Sequence, residues 1–485
     1  MSGAARKILA VDLDGTLIAG DMLHESFWAA LGGGSGPVIA AAGRFLTGGR
    51  AGLKAALAEA AAVDVATLPY KTAVLDEIRA RKAAGARVVL ATASDRRLAE
   101  AVAEHLGVFD EVIASDGTVN LKGRAKAEAL VARFGEKGFA YAGDSAADLP
   151  VWAASAEAVA VDVPAALRAR IAAPEVTEIG TGPGNRAGGG TRRAALRALR
   201  PHQWLKNLLV FVPMLLAHNL SAGGFWAACV AFAAFSLAAS SVYVLNDLLD
   251  LAADRAHPRK RCRPFASGDL PLVWGLWLAP GLLAAGLAVG AAAGDRFLMV
   301  LGFYYLCTLA YSLALKRQTV IDICMLAGLY TLRVIAGAAA THNPPSVWLL
   351  GFSIFFFLAL AAVKRQAELV DLAAAGGAQA AGRGYRAEDL PLITMMALSA
   401  GYVSVLVAGL YLTSDDVAQL YSRPSALWGI CAVLIYWLSR IVMLTHRQRM
   451  HDDPIVFAVT DKVSLVCGAG IVGLVVLAAR GAGAG

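Results

Sequence analysis

Residues 242–268 read VYVLNDLLDLAADRAHPRKRCRPFASG, an apolar run that enters a cluster of acids and then a cluster of bases. Asn246, Asp250 and Asp254 are spaced four apart, and Asp247 stands three before Asp250 and seven before Asp254. On a helix all four share one face. Carboxylates so close repel one another, and a divalent cation relieves that repulsion. Oxygen ligands with room for water and a diphosphate suit Mg²⁺. Arg255, Lys260, Arg261 and Arg263 follow at once and supply partners for phosphate oxygens. An apolar span running into carboxylates marks a functional site, because charge in a bilayer is costly. The plainer alternative is a solvated cap that only anchors topology.

The surrounding composition places this stretch in a membrane. Of 485 residues, 58% are hydrophobic and 17% charged, against about 25% charge in a soluble chain. That excludes a disordered chain and argues against a wholly soluble one. From Trp204 onward, apolar runs of bilayer-crossing length repeat at roughly 204–221, 225–245, 271–293, 297–315, 320–341, 346–363, 390–412, 425–445 and 461–480, about nine spans. If each crosses and the N-terminus is cytoplasmic, the cytoplasmic loops hold 13 Lys and Arg residues and the opposite loops hold Arg296 and Arg423. The positive-inside rule therefore predicts a multi-pass protein of a bacterial-type inner (plasma) membrane, with its N-terminal part and its polar sites cytoplasmic. The net charge of +7 is read as setting topology, with no nucleic-acid partner. The six Cys form no CxxC pair, so neither a zinc site nor a disulfide framework is expected. The N-terminus, with Asp in its short apolar run, does not read as a secretory signal.

Residues 1–180 read differently. KILAVDLD, ARVVLATAS, EVIAS, GFAYAGD and AVAVDV alternate with helical stretches rich in Ala, Glu and Arg, the pattern of a parallel sheet with crossover helices. GTGPGNRAGGGTRR, within 180–193, reads as flexible, so 181–196 is expected to link this domain to a membrane domain at 197–485. The first strand ends in Asp12-Leu-Asp14-Gly15-Thr16, with both carboxylates turned to one side. Thr92 ends a second strand, Lys126 opens a helix, and Asp144 with Asp148 follows a further strand. Strand ends are where ligands of open α/β sheets gather.

These four ordered motifs resemble the haloacid dehalogenase-like phosphohydrolase superfamily over about residues 6–175. The resemblance implies a Rossmann-like α/β domain with a helical cap from about 20 to 80. It implies that Asp12 attacks phosphorus and that Asp14 protonates the leaving oxygen. Thr92 and Lys126 would hold phosphate oxygens, with Lys122 a weaker stand-in for Lys126. Asp12, Asp14, Asp144 and Asp148 would surround Mg²⁺.

The acidic motif and the span count resemble the UbiA superfamily of intramembrane prenyltransferases over about 197–480. That implies an all-α domain of about nine transmembrane helices, with Asn246, Asp247, Asp250 and Asp254 binding Mg²⁺ and diphosphate. The usual second acidic pair is missing: one acid, Asp322, follows Tyr311 and Lys316-Arg317, and position 326 is Leu. Together with RPHQWLKN at 200–207 and Arg333, this is similar to the decaprenyl-phosphate phosphoribosyltransferase branch. The branch implies a polyprenyl phosphate acceptor and phosphoribosyl diphosphate (PRPP) as donor, a role in cell-envelope arabinan precursors, and Lys206, Arg255, Lys260, Arg261, Tyr311, Lys316 and Asp322 as contacts for donor phosphates and ribose. Lys364, Arg365 and Gln366 read equally well as phosphate holders or topology anchors, and Asp452-Asp453-Pro454 reads as a solvated turn, with lining of the cavity mouth the alternative.

The expected whole is a bifunctional enzyme. The membrane half makes polyprenylphosphoryl-5-phosphoribose, and the soluble half removes the 5-phosphate. An aromatic prenyltransferase with an unrelated phosphatase, or a phosphatase-like scaffold on a membrane transferase, are the alternatives. Assembly as a homo-oligomer is left open.

Overall fold

The computed structural model describes residues 8–61, 63–116, 120–180, 189–218, 221–377, 383–450 and 453–479. The chain forms two compact units, residues 1–199 with 243–279 and residues 200–242 with 280–485. Residues 181–188 of the expected linker lie outside the described residues, and the rest of it folds into the helix Gly189–Ala198.

The first unit is built on six strands: β1 (Ile8–Val11), β2 (Arg87–Asp95), β3 (Glu111–Ser115), β4 (Ala140–Gly143), β5 (Glu157–Val161) and β6 (Glu175–Ile179). They form one sheet in the order β3-β2-β1-β4-β5-β6, and every pairing is parallel. The central strands are continuously apolar because both sheet faces are covered. Their alternation divides the core in two. Leu9, Val11, Val88, Leu90, Val159 and Val161 enter one cluster, while Ala10, Val89, Ala91, Tyr141 and Ala158 enter the other with Trp152. The chain leaves β1 toward β2 on one side and later returns to pair β4 on the other. That reversal opens a crevice at the carboxyl ends of β1 and β4. Between β1 and β2 the expected helical cap is present as the helices Met22–Gly33 and Ser35–Ala60. Asp21 caps the first by accepting from the Leu23 N–H.

The other helices are long and apolar. Among the described residues eight segments can cross a membrane by length and composition: Ala222–Leu249, Val273–Ala293, Asp295–Leu313, Ile321–Thr341, Val347–Ala374, Ala387–Leu412, Pro424–His446 and Lys462–Ala479. The first expected span, 204–221, departs from this pattern. It folds as a 3₁₀ segment, Pro201–Phe211, followed by the five-residue helix Val212–Leu216, and residues 219 and 220 lie outside the described residues. Its polar side chains explain why. Asn207 is buried, donating to Ser236 Oγ at 3.0 Å and accepting from Arg333 Nε at 2.9 Å. A segment that carries such groups inward is held by the protein rather than by lipid. Helices Ile321–Thr341, Val347–Ala374, Leu390–Leu412 and Trp428–His446 share the largest apolar core of the second unit. Large apolar side chains such as Leu306, Leu406 and Val466 point outward, as a lipid-facing surface requires.

Candidate active sites

Asp12 follows β1 directly and is buried. Its Oδ1 accepts from the Leu13 N–H and lies 2.8 Å from Lys126 Nζ. Lys126 opens the helix Arg124–Phe134 and also donates to the Tyr141 hydroxyl, which in turn donates to Asp148 Oδ1, both at 2.8 Å. Asp148 Oδ2 is taken up by the Ser145 N–H and hydroxyl. Asp144, at the end of β4, accepts from the Thr16 hydroxyl at 3.1 Å. Gly15 between these groups has φ +75°, and a Cβ there would fall 2.3 Å from Asp144 Oδ2, so only glycine fits the turn.

Asp14 is held by two donors, the Met22 N–H at 2.7 Å and the Ser94 hydroxyl at 2.6 Å. Burial, reinforced by the charges of Asp21 and Asp12, pushes its carboxyl up to about 7. Burial with Asp12 and Asp148 does the same to Asp144, also to about 7. Asp12 is raised by burial, with Lys126 opposing the rise.

The oxygens of Asp12, Asp144 and Asp148 converge within 4.8 Å of one another. Three carboxylates so placed, two of them raised, fit a divalent cation, which would restore their charged forms. Asp14 stands outside that group and is better placed for proton work. Thr92, expected to end its strand, is buried three residues before the end of β2, and its hydroxyl accepts from the Ser94 N–H. Lys122 lines the same cavity as Lys126, but Lys126 is the lysine on Asp12. Sequence reading did not single out four participants: Ser94 on Asp14, Tyr141 between Lys126 and Asp148, Lys71 on the Gly15 carbonyl and Asp162, and Lys54 on the Ala93 carbonyl. Asp12, Asp14, Asp144, Asp148, Lys54, Lys71, Lys122 and Lys126 line a cavity of about 880 Å³ rich in lysine and aspartate.

The acidic stretch that opens the membrane half is not one continuous helix. The helix Ala222–Leu249 ends, Asp250 takes φ −103° and ψ 18°, and a short helix, Leu251–Ala256, begins. Across this break the i to i+4 spacing persists, the Asp250 N–H donating to the Asn246 carbonyl at 2.9 Å and the Asp254 N–H to the Asp250 carbonyl at 2.8 Å. What brings Asp247 and Asp254 together is Arg263, whose Nη1 contacts both carboxylates. Asn246 Oδ1 is buried with no hydrogen-bond partner among the described residues, an acceptor left open for a cation. Arg255, expected on substrate phosphate, is instead paired with Glu25 and the Ala266 carbonyl. Lys260 and Arg261 are exposed.

In the second unit, Lys206 Nζ lies 2.6 Å from Asp453 Oδ2, joined by Lys364 Nζ at 3.1 Å and the Tyr330 hydroxyl at 3.1 Å. Asp453 is buried, so the expectation of a solvated turn is corrected at this residue; Asp452 lies outside the described residues. Asp322 is wholly buried between Arg365 Nη2 at 2.7 Å, Arg383 Nη1 at 2.9 Å and the Tyr311 hydroxyl at 2.8 Å. Glu368 contacts both arginines. Lys316 is half-buried at the end of the preceding helix. Arg333 is buried on Asn207 Oδ1 and the Tyr304 hydroxyl. Lys364 and Arg365, read equally as anchors or ligands, are here the cations of two buried clusters.

Residues 208–457 match the family model for the UbiA prenyltransferase family. The chain belongs to the UbiA prenyltransferase family. Its residues 9–152 match the model for haloacid dehalogenase-like hydrolases, so this UbiA-family chain carries a haloacid dehalogenase-like domain at its N-terminus. It is 38% identical over 476 residues to an uncharacterized protein, y4nM, of Sinorhizobium fredii, covering 97% of this chain and 90% of that one. With nodulation protein NoeC of Azorhizobium caulinodans it shares 39% identity over 284 residues, 58% of this chain and 92% of the relative. With decaprenyl-phosphate phosphoribosyltransferase of Mycolicibacterium smegmatis it shares 42% identity over 180 residues, 36% of this chain and 56% of that protein. The first alignment runs through both halves, so the fusion is shared with that relative.

Proposed function

We propose that this chain is a bifunctional membrane enzyme. Its UbiA-type half transfers 5-phosphoribose from PRPP to a polyprenyl phosphate. Its haloacid dehalogenase-like half then hydrolyses the 5-phosphate, giving polyprenylphosphoryl ribose and inorganic phosphate. In the first reaction a lipid phosphate oxygen bonds to the anomeric carbon of ribose as the bond to diphosphate breaks.

The state of Asp322 carries the choice of substrate. The usual second acidic pair of this superfamily would take a second metal. Here its one remaining acid is neutralised by Arg365 and Arg383 and bonded by Tyr311. A carboxylate so committed orders cations instead of recruiting a metal, and ordered guanidinium groups suit phosphate oxygens. The similarity to a decaprenyl-phosphate phosphoribosyltransferase supports the same reading.

Asn246, Asp247, Asp250 and Asp254 would hold Mg²⁺, with Arg263 moving from the carboxylates to phosphate as substrate enters. Mg²⁺ bound there would stabilise the charge on the leaving diphosphate. Lys206, Lys260, Arg261, Tyr311 and Lys316 are the proposed donor contacts. In the soluble half, Asp12 would attack the 5-phosphate phosphorus while Asp14 gives its proton to the departing ribose oxygen. Lys126 and Thr92 would hold the phosphoryl oxygens, and Asp12, Asp144 and Asp148 would ligate Mg²⁺, with Asp148 also held to Lys126 through Tyr141. Both sites would face the cytoplasm of a bacterial-type inner membrane.

The test incubates the purified chain in bilayers with Mg²⁺, polyprenyl phosphate and ribose-labelled PRPP. Label entering the lipid fraction with wild type, and not with Asp250→Ala, is the expected result. If neither incorporates label, while an aromatic acid and a prenyl diphosphate give product, the chain is an aromatic prenyltransferase and the proposal fails.

A further inference from the structure

The cavity above Asp12 is not closed by residues 8–180 alone. Ser267, Gly268, Asp269, Pro271, Leu272 and Val273 also line it. They lead from the acidic motif into the span Val273–Ala293. These residues and the whole catalytic cluster belong to the same compact unit.

This segment is tied down by independent contacts. Arg255 donates through both terminal nitrogens to the two carboxylate oxygens of Glu25, at 2.7 and 3.0 Å, and through Nε to the Ala266 carbonyl at 3.1 Å. The two side chains are 7% and 4% exposed. A bidentate pair buried this deeply fixes geometry as well as charge. Glu25 stands on the cap helix Met22–Gly33, so the guanidinium joins that helix to the segment. Beyond it, Gly268 has φ +80°, and a Cβ there would fall 2.7 Å from Ala19 Cβ. Glycine alone permits both the backbone and the approach. Ala19 and Pro69, its two neighbours, themselves line the cavity. Phe265 and Leu270 are wholly buried on either side.

The lining of the cavity is chemically mixed. Asp12, Lys54, Lys71 and Lys126 supply chemistry for a phosphoryl group, and Pro271, Leu272 and Val273 supply apolar surface, Val273 being the first residue of a membrane-length helix. Its volume, about 880 Å³, is near the upper end of small-molecule sites, which run about 300–1,000 Å³. That exceeds the need of a sugar phosphate alone. A ligand with both a phosphate and an apolar lipid part matches both kinds of lining.

We propose that residues 267–273 form a specificity wall of the phosphatase site, contributed by the transferase half, that selects a phosphomonoester carried on a membrane lipid over a soluble one. The proposal rests on reading the Asp12 centre as a phosphatase and names which substrates that centre takes. The wall also explains why fusion matters: it places the site at the bilayer surface, where lipid-borne substrate is concentrated.

The test compares kcat/KM for polyprenylphosphoryl-5-phosphoribose and for ribose 5-phosphate, using the full chain in lipid nanodiscs. The variants are the pair Glu25→Gln with Arg255→Gln, which releases the wall, and Val273→Asp, which makes its partly exposed apolar end charged. The expected result is a wild-type preference for the lipid substrate that falls at least tenfold in both variants, with ribose 5-phosphate hydrolysis within about twofold of wild type. Val273→Asp guards against a folding defect in the buried pair. A preference unchanged in Val273→Asp overturns the wall. Wild type that cleaves ribose 5-phosphate but not the lipid also overturns it, while leaving the phosphatase reading intact. Wild type that cleaves neither, and equals Asp12→Asn, overturns both.

Discussion

Asp12 and Asp14 lie two residues apart yet have different surroundings, and that difference assigns their work. Burial raises the Asp12 carboxyl too, but there a lysine at 2.8 Å opposes the rise and favours the ionised nucleophile. Asp14 is buried beside other acids and raised to about 7, which keeps a proton available. Replacing Asp14 by Asn is expected to lower phosphatase kcat by about 10²–10⁴-fold, measured as phosphate release, with transferase activity unchanged. Tyr141 is expected to matter for stability as well. Tyr141→Phe leaves Lys126 and Asp148 each short of a partner in a buried site, at a cost of about 1–3 kcal/mol, to be read from thermal unfolding of the full chain. A loss confined to activity, with no change in melting, would contradict that role.

The elements show which parts of this protein the sequence makes legible. β1, β2 and β4 announce themselves because each is a short apolar run with a polar residue at or near its carboxyl end, so Asp12, Thr92 and Asp144 are found by local reading. Ser94 and Tyr141 carry no such mark. Ser94 meets Asp14 from 80 positions away, a contact made by the sheet and not by spacing. Arg255 and Glu25 are 230 positions apart, and no local pattern distinguishes that arginine from its basic neighbours. The break at Asp250 is equally silent, since no Gly or Pro interrupts the helical period there. The segment 204–221 reads as a span by hydropathy, yet Asn207 and Lys206 turn inward onto Ser236, Arg333 and Asp453, a result of tertiary pairing. Those buried ion clusters predict a stability effect at the level of helix packing. Asp322→Asn takes one of two carboxylates from the wholly buried Arg365, leaving Glu368, and is expected to destabilise the membrane half by about 1–3 kcal/mol, measured by thermal unfolding in detergent. A melting temperature equal to wild type would show that the cluster is not structural.

At the scale of the molecule, a UbiA-family domain and a haloacid dehalogenase-like domain share one chain, each with its own acidic centre. The proposed function places a divalent cation at both centres, so chelation is expected to stop lipid labelling and phosphate release alike, and added Mg²⁺ to restore both. Persistence of either activity in excess chelator would remove metal from that half. The central claim is that the two activities act in series on one lipid. The most direct measurement supplies ribose-labelled PRPP, Mg²⁺ and polyprenyl phosphate to the bilayer-embedded chain and weighs the extracted lipid products by mass. Wild type is predicted to yield polyprenylphosphoryl ribose, and Asp12→Asn to accumulate the same lipid still bearing its 5-phosphate. Identical lipid products from wild type and Asp12→Asn would contradict the account.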